Sequence, residues 1–158
     1  MDDRIFRNAM GKFTTGVTVV TTKLDDEVHG MTANAFMSVS LNPKLVLVSI
    51  ANKAMMKTYI THAQKFAISI LSQEQKDLSA YFAGQINETR TIYFQWFQEM
   101  PTIKDSLVQM ICEVHDVVDA GDHTLYIGKV TDINTHSGDP LTFFEGNYHE
   151  LIKGNQVK

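Results

Sequence analysis

Short runs of β-branched and apolar residues recur along this chain, and they are separated by turns rather than by long helices. The clearest run, Leu45 to Ile50 (LVLVSI), is apolar almost throughout and predicts a strand covered on both faces. Val17 to Thr22 and Gly30 to Leu41 flank a polar turn and predict a hairpin. Further strands are expected at Lys65 to Leu71, Leu107 to Val118, Thr124 to Thr135 and Leu141 to Ile152. Because these runs do not alternate with helices, they favour an antiparallel barrel or sandwich.

Three segments have the spacing of short helices. Apolar residues recur at helical intervals from about Asp3 to Phe13, which predicts an amphipathic helix. Ala54 to Thr61 predicts one or two further turns. Ser72 to Gln75 matches a capping box, which opens a helix that ends at Gly84. The stretch Gln85 to Lys104 is expected to be irregular, and its aromatic cluster (Tyr93, Phe94, Trp96 and Phe97) fits a lid, a dimer contact or core packing equally well.

Length, charge and cysteine content exclude several classes of protein. A chain of 158 residues suits one core and is short for two domains, so we expect a single domain over residues 1–158. The net charge of −4 and the lack of a basic run argue against a nucleic-acid partner. The apolar runs are too short for a membrane span, and no signal peptide is evident, so a cytoplasmic location is expected. The single cysteine, Cys112, is expected to be a buried small hydrophobe.

The usual catalytic motifs do not occur in the sequence. There is no phosphate-binding glycine loop, no serine-hydrolase elbow and no pair of histidines at metal-ligand spacing, so no metal site is expected. Small and polar residues instead fill the strand-like segment Gly30 to Ala35, where they would let a flat ligand approach the backbone. Ala51-Asn52-Lys53 then leads into a helix, as in an anion site. Taken alone, the same residues also suit an edge strand, an N-cap and a solvated lysine.

Seven blocks of sequence, in a fixed order, carry a family resemblance. They are FTTGVTVVT (13–21), GMTANAFMSVSLNP (30–43), LVLVSI (45–50), FAISILSQEQ (66–75), FAG (82–84), GDH (121–123) and PLTFFEGNY (140–148). Together they resemble the flavin reductase-like family, which has the FMN-binding split-barrel fold. Members of this family are short-chain NAD(P)H:flavin oxidoreductases. The resemblance implies a mainly β protein, an antiparallel split β-barrel with a few short α-helices.

The resemblance also implies which residues bind the flavin, FMN or FAD. Contacts to the isoalloxazine ring and the ribityl chain are expected from Thr32, Ala33, Asn34, Ser38, Val39 and Ser40. The phosphate is expected near Ser49, Ala51, Asn52 and Lys53, with Lys53 supplying positive charge. Phe82 and Ala83 match a segment that approaches the flavin in this family, although Phe82 alone would be assigned to the core.

His123 is the expected catalytic residue on the nicotinamide side. In the family, the histidine of Gly-Asp-His lies where the nicotinamide of NADH or NADPH must stack, and Tyr148 is expected to line the same pocket. A histidine there can donate a hydrogen bond to the carboxamide or help to protonate reduced flavin. Without the resemblance, Gly121-Asp122-His123 would be assigned to an ordinary turn and strand start.

The function implied is an NAD(P)H-dependent flavin reductase that supplies reduced flavin to a partner monooxygenase. The alternative within this fold is an FMN-binding electron carrier or redox sensor without nicotinamide activity. A barrel that binds some other ligand is a third alternative. The family is homodimeric, so a homodimer is expected, and flavin and nicotinamide nucleotide are the expected small-molecule partners.

Overall fold

The computed structural model describes residues 1–154, which form short helices and many antiparallel strands. The helices are α1 (Asp3–Gly11), α2 (Met55–Ala63) and α3 (Lys76–Phe82), with a 3-10 turn at Gln73–Gln75 before α3. The strands are β1 (Thr15–Gly16), β2 (Thr18–Leu24), β3 (Glu27–Ala33), β4 (Phe36–Ser40), β5 (Leu45–Ala51), β6 (Lys65–Ile70), β7 (Phe94–Phe97), β8 (Met100–Ile103), β9 (Val108–Ala120), β10 (His123–Thr135), β11 (Thr142–Phe144) and β12 (Asn147–His149). The predicted mainly β, antiparallel fold is confirmed.

A seven-stranded sheet in the order β3-β2-β6-β9-β10-β5-β4 forms the body of the protein. Its two edge strands, β3 and β4, follow one another in the chain and are separated only by Asn34 and Ala35. The sheet must therefore curl until its edges approach each other at these two residues. The Ser49 backbone N–H donates to the Ala35 carbonyl at 3.0 Å and fixes this corner to β5. Among residues 1–154 no ladder joins β3 to β4, so the barrel stays split along this seam.

The interior of the curled sheet holds the main core. Val48 and Ile50 on β5 are fully buried, as are Phe66 and Ile68 on β6 and Tyr126 on β10. On β5 the buried residues alternate with half-buried ones, because successive side chains of a strand point to opposite faces. The burial predicted for Cys112 is confirmed, since its side chain is fully enclosed in this core.

Three sequence-based expectations about elements were wrong. The segment Gly30 to Leu41 is not one strand: it is divided between β3, which pairs with β2, and β4, which pairs with β5. The stretch Gln85 to Lys104 is not wholly irregular, because β7 and β8 form a hairpin within it. The run Leu141 to Ile152 is not one strand either: it forms β11 and β12, which pair with each other, and β11 also pairs with β1.

The predicted N-terminal helix forms, but its apolar face stays largely exposed. No residue of α1 is buried. Ile5, Phe6 and Met10 are each more than half exposed, and Phe13, just beyond the helix, is 79% exposed. The helix therefore presents a continuous apolar surface.

No helix of residues 1–154 is long and apolar enough to cross a membrane.

Candidate active site

A groove of about 910 Å³ opens at the seam where β3 passes into β4. Its walls are largely apolar and include Phe36 and Leu47 from the sheet and Phe143 from β11. Asn34 and Ser49 supply polar atoms at its edge. A groove with flat apolar walls and a polar edge suits a planar heteroaromatic ring.

A smaller cavity of about 110 Å³ continues from this groove. Asn34 and Phe143 line both spaces, so the cavity forms the inner end of the groove. Its other walls include Thr32, Ala83 and Tyr148. The structure thus brings together four of the residues predicted for the site, from β3, the seam, the end of α3 and β12.

Hydrogen bonds make the inner cavity polar on one side. Thr32 Oγ1 donates to the Ser79 carbonyl at 2.6 Å. The Ser79 hydroxyl lies 2.7 Å from the Tyr148 hydroxyl. The ring of Phe143 meets that of Tyr148 edge to face, with centroids 5.5 Å apart. These contacts hold the side chains of the cavity wall in fixed positions.

The remaining residues predicted along the isoalloxazine lie on either side of the seam. Ala33 is buried, and its carbonyl accepts a 2.5 Å hydrogen bond from Thr18 Oγ1. Ser38, Val39 and Ser40 lie on the edge strand β4, where the pairing with β5 shifts register between Ser38 and Ser40. None of these three lines the groove, which takes Ala35, Phe36 and Met37 from this part of the chain instead.

The residues predicted around the phosphate meet His123 at the end of β5, whereas Tyr148, also predicted for the nicotinamide, lies in the inner cavity. In the β5–β10 ladder His123 lies opposite Ala51. The Asn52 backbone N–H donates to the Asp122 carbonyl at 2.9 Å, so the turn that holds Lys53 is joined to the turn that precedes His123.

Asn52 is occupied by internal contacts. Its amide oxygen accepts hydrogen bonds from Thr124 Oγ1 at 2.7 Å and from Lys57 Nζ at 3.1 Å. Its amide nitrogen lies 3.4 Å from the Gly121 carbonyl. The side chain therefore connects the two turns. Lys53 forms no ion pair within residues 1–154, although its positive charge helps to lower the pKa of Asp122.

One face of β5 connects the groove to this second cluster. Leu47, Ser49 and Ala51 alternate with fully buried neighbours and so point to the same side of the strand. Residues two apart in a strand are separated by about 6.5 Å. Ser49 in the groove is therefore about one such step from Ala51. Tyr148 lies in the inner cavity, and His123 is not among the residues that line that cavity.

Phe82 is half-buried and packs against the core, and it lines neither the groove nor the inner cavity. Its ring packs against Gly30, where an added Cβ would lie 2.5 Å from a ring carbon. It also lines an open cavity of about 740 Å³ together with Ala83, Gly84 and the stacked rings of His29 and Tyr59. Gly30 is therefore the residue that lets Phe82 approach the sheet.

Several residues at the site were missed by sequence analysis. Phe36 and Phe143 lie inside the motif blocks, so their position beside a ligand could have been inferred from them. Ser79 lies outside every block, and a serine within a helix carries no signal of its own. Thr15 also borders the groove, and its buried hydroxyl has no hydrogen-bond partner among the described residues. Such an orphaned hydroxyl fits a site that a polar ligand completes.

Comparisons with known proteins agree with this geometry. The model of the family described as flavin reductase like domain matches residues 10–151. The chain is 45% identical over 148 residues to an NADH-dependent flavin reductase of a Rhodococcus species, which covers 92% of this chain and 84% of that protein. It is 34% identical to the reductase component of 4-hydroxyphenylacetate 3-monooxygenase from Thermus thermophilus, with coverage of 93% and 95%.

A solved structure of the flavin reductase PheA2 in its native state superposes with a TM-score of 0.95. It is 60% identical in sequence and covers 97% of this chain and 100% of its own. The fold is therefore that of a known group, and this chain belongs to the flavin reductase like domain family.

Proposed function

We propose that this protein catalyses hydride transfer from NADH to FMN or FAD and supplies the reduced flavin to a partner monooxygenase. The observation that carries the proposal is the apolar groove at the seam with its polar inner cavity. Relatives named as NADH-dependent flavin reductase and as a monooxygenase reductase component support the reductant and the kind of partner.

The groove is assigned to the flavin ring. When bound, the isoalloxazine accepts a hydride at N5 from C4 of the nicotinamide, so the protein needs no nucleophile of its own. Phe36, Leu47 and Phe143 exclude water and hold the ring flat, while Asn34 and Ser49 offer hydrogen bonds to its polar edge. The contribution of the chain is orientation and a fixed polar environment.

The turn Ala51-Asn52-Lys53 is assigned to the flavin phosphate. Lys53 supplies a positive charge that no ion pair within residues 1–154 neutralises. The turn precedes α2, whose N-cap residue Ala54 makes no side-chain hydrogen bond, so the first backbone N–H groups of the helix remain available to an anion. The position of this turn on the same face of β5 as Ser49 supports one ligand extending from groove to turn.

His123 is assigned to the nicotinamide. Its Nδ1 faces Asp122, which leaves Nε2 to face a ligand. From there the imidazole can donate to or accept from the carboxamide, and this contact aligns the nicotinamide over the flavin. The role is one of orientation and proton exchange, and it requires no covalent bond to the substrate.

A homodimer is part of the proposal. The exposed apolar face of α1 supports it, because Ile5, Phe6 and Met10 would otherwise stay in water. Met10 and Phe13 also border the groove, so a second copy packed on α1 would cover the groove on that side.

NADH consumption by the purified protein, with and without added FMN or FAD, tests the proposed function. Consumption that depends on added flavin supports a reductase that uses flavin as a diffusible substrate, and the same assay ranks the two flavins. NADPH in place of NADH tests the choice of reductant. A yellow protein that consumes neither nucleotide would overturn the proposal in favour of an electron carrier or sensor.

A further inference from the structure

Ser79 is a fully buried residue of α3 that contacts two different walls of the inner cavity. Its backbone carbonyl accepts the hydroxyl proton of Thr32, and its side-chain hydroxyl pairs with that of Tyr148. Thr32 and Tyr148 come from strands at opposite ends of the sequence. A single helix residue thus orients two of the polar side chains that border the cavity, whose lining also includes Asn34 and Gln85.

The contacts of the Ser79 carbonyl determine what Thr32 can offer a ligand. This carbonyl accepts two hydrogen bonds, one from the Ala83 backbone N–H at 3.0 Å and one from Thr32 Oγ1 at 2.6 Å. A threonine hydroxyl has one proton and two acceptor lone pairs. Because its proton is already donated to Ser79, Thr32 can only accept a hydrogen bond from a molecule in the cavity.

Tyr148 is held as firmly as Thr32. Its hydroxyl lies 2.7 Å from Ser79 Oγ, its ring meets the edge of Phe143, and Lys76 Nζ lies 5.6 Å from its ring centroid. A side chain held from three directions retains little rotamer freedom for a ligand to order. The three contacts therefore preorganise the tyrosine hydroxyl at the cavity wall.

We propose that Ser79 is a positioning residue that fixes Thr32 as a hydrogen-bond acceptor and Tyr148 in place, so that the inner cavity selects a substrate group bearing an N–H donor. The inference rests on the proposed function, which places substrates in the groove. Two substrate groups have this chemistry, the imide N3–H of the flavin ring and the carboxamide of the nicotinamide.

Substrate analogues separate these two sources. The 3-methyl derivative of FMN lacks the imide proton, and the reduced 3-acetylpyridine analogue of NADH lacks the carboxamide N–H group. One of the two is expected to raise KM about 3- to 12-fold in the unaltered protein, which is the size of one hydrogen bond. In Thr32→Val the same analogue is expected to cause no further rise in KM, because this variant already lacks the hydrogen-bond acceptor.

Variants of the Ser79–Tyr148 pair test the positioning role. Ser79→Ala and Tyr148→Phe are each expected to raise KM for the same substrate about 3- to 12-fold, with less effect on kcat. The double variant is expected to match either single one, because each removes the same hydrogen bond.

Thr61 and Tyr126 provide a matched control. Their hydroxyls also lie 2.7 Å apart, and neither residue borders the cavity. Thr61→Val is therefore expected to leave both KM values unchanged. If Ser79→Ala fails to fold, Tyr148→Phe and the substrate analogues still test the proposed hydrogen bonds of the inner cavity.

The outcomes separate failure of this inference from failure of the proposed function. If no flavin supports NADH consumption, the proposed function fails. If consumption is normal but Ser79→Ala behaves like Thr61→Val, the positioning of Tyr148 by Ser79 is overturned while the reductase stands. If neither analogue changes KM, the acceptor role of Thr32 is overturned, since Ser79→Ala keeps the backbone carbonyl that holds Thr32.

Discussion

Nδ1 of His123 lies 2.8 Å from a carboxylate oxygen of Asp122, the residue immediately before it. This hydrogen bond is the larger of two causes that hold the pKa of Asp122 below its ordinary value, and the positive charge of the His123 ring is the second. The carboxylate is exposed, so the pair adds little to stability. The hydrogen bond fixes the orientation of the His123 ring, so that Nε2 points away from Asp122.

His123→Ala is expected to retain flavin binding and to lose hydride-transfer rate by on the order of 10²-fold, the usual size of an orientation or proton-transfer contribution. Flavin affinity from fluorescence titration and the rate from stopped-flow absorbance separate the two effects. Unchanged turnover in this variant would reject the role assigned to His123.

Asp122→Asn is expected to alter the dependence of stability on acid. A carboxyl whose pKa is depressed on folding stabilises the native state above its unfolded pKa, near 3.8, and loses that contribution as the pH falls through the lower folded value. Any excess in melting temperature of the unaltered protein over Asp122→Asn should therefore be present at pH 5 and shrink below pH 3.8. A difference that grows on acidification would contradict this assignment.

Gly30→Ala is expected to destabilise the protein by about 1–3 kcal/mol, because the new methyl group would overlap the ring of Phe82. The denaturant midpoint measures the loss. The double variant Gly30→Ala/Phe82→Leu should recover part of it.

Gly16→Ala is the matched control for this substitution. Nothing lies within 4 Å of a Cβ added at Gly16. Its free energy of unfolding should change by no more than about 0.5 kcal/mol. Equal losses in the two alanine variants would show that the overlap with Phe82 is not responsible, because the lower chain entropy of alanine would stabilise both variants.

Cys112 is expected to resist thiol reagents in the native state. Burial raises the pKa of its thiol to about 12, so almost no thiolate exists at pH 8. Native protein should remain unlabelled by a chromogenic disulfide reagent, whereas protein in guanidinium should react completely. Because the thiol is held protonated, stability should also fall as the pH rises above 9, the ordinary value. Fast labelling without unfolding would disprove the burial.

Phe6→Glu is expected to weaken the proposed dimer, since it places a charge on the exposed apolar face of α1. Sedimentation velocity over a range of concentrations measures the shift toward monomer. Ile133→Glu is the control, because Ile133 is also exposed and lies on β10, away from the residues that line the groove. A Phe6→Glu variant that sediments like the unaltered protein would place any dimer contact elsewhere.

Sequence patterns predicted the central strands because those strands depend on local hydrophobicity. Leu45 to Ile50 is apolar almost along its length and forms most of β5, which pairs with β10 on one side and with β4 on the other. The division of Gly30 to Leu41 was not predictable in the same way. The alternation continues on both sides of Asn34, and only the partner strands reveal that the chain has crossed from one edge of the sheet to the other.

The two missed hairpins have a different cause. The β7–β8 turn places Gln98 and Glu99 at positive φ, and the β11–β12 turn does so with Glu145 and Gly146. Such turns usually contain asparagine, aspartate or glycine at the positions with positive φ. Gln98 and Glu99 carry none of these signals, so tertiary packing must impose their conformation.

The candidate site shows the same division. The small and polar segment around Thr32 and Asn34 indicated a close approach to the backbone, and the structure places both residues at the cavity. Ser79 could not be predicted, because its importance comes from what α3 faces and not from its neighbours in sequence. The motif blocks thus identified the strand that borders the cavity. Ser79, which lies behind that strand, could be identified only from three-dimensional contacts.

The Ser79–Tyr148 hydrogen bond has a consequence for how the protein matures. It joins residues that are 69 positions apart, so its closure carries the entropy cost of a long loop. The cavity is complete only once β12 has docked on α3. During synthesis, the proposed substrate site therefore stays incomplete until Tyr148 has left the ribosome.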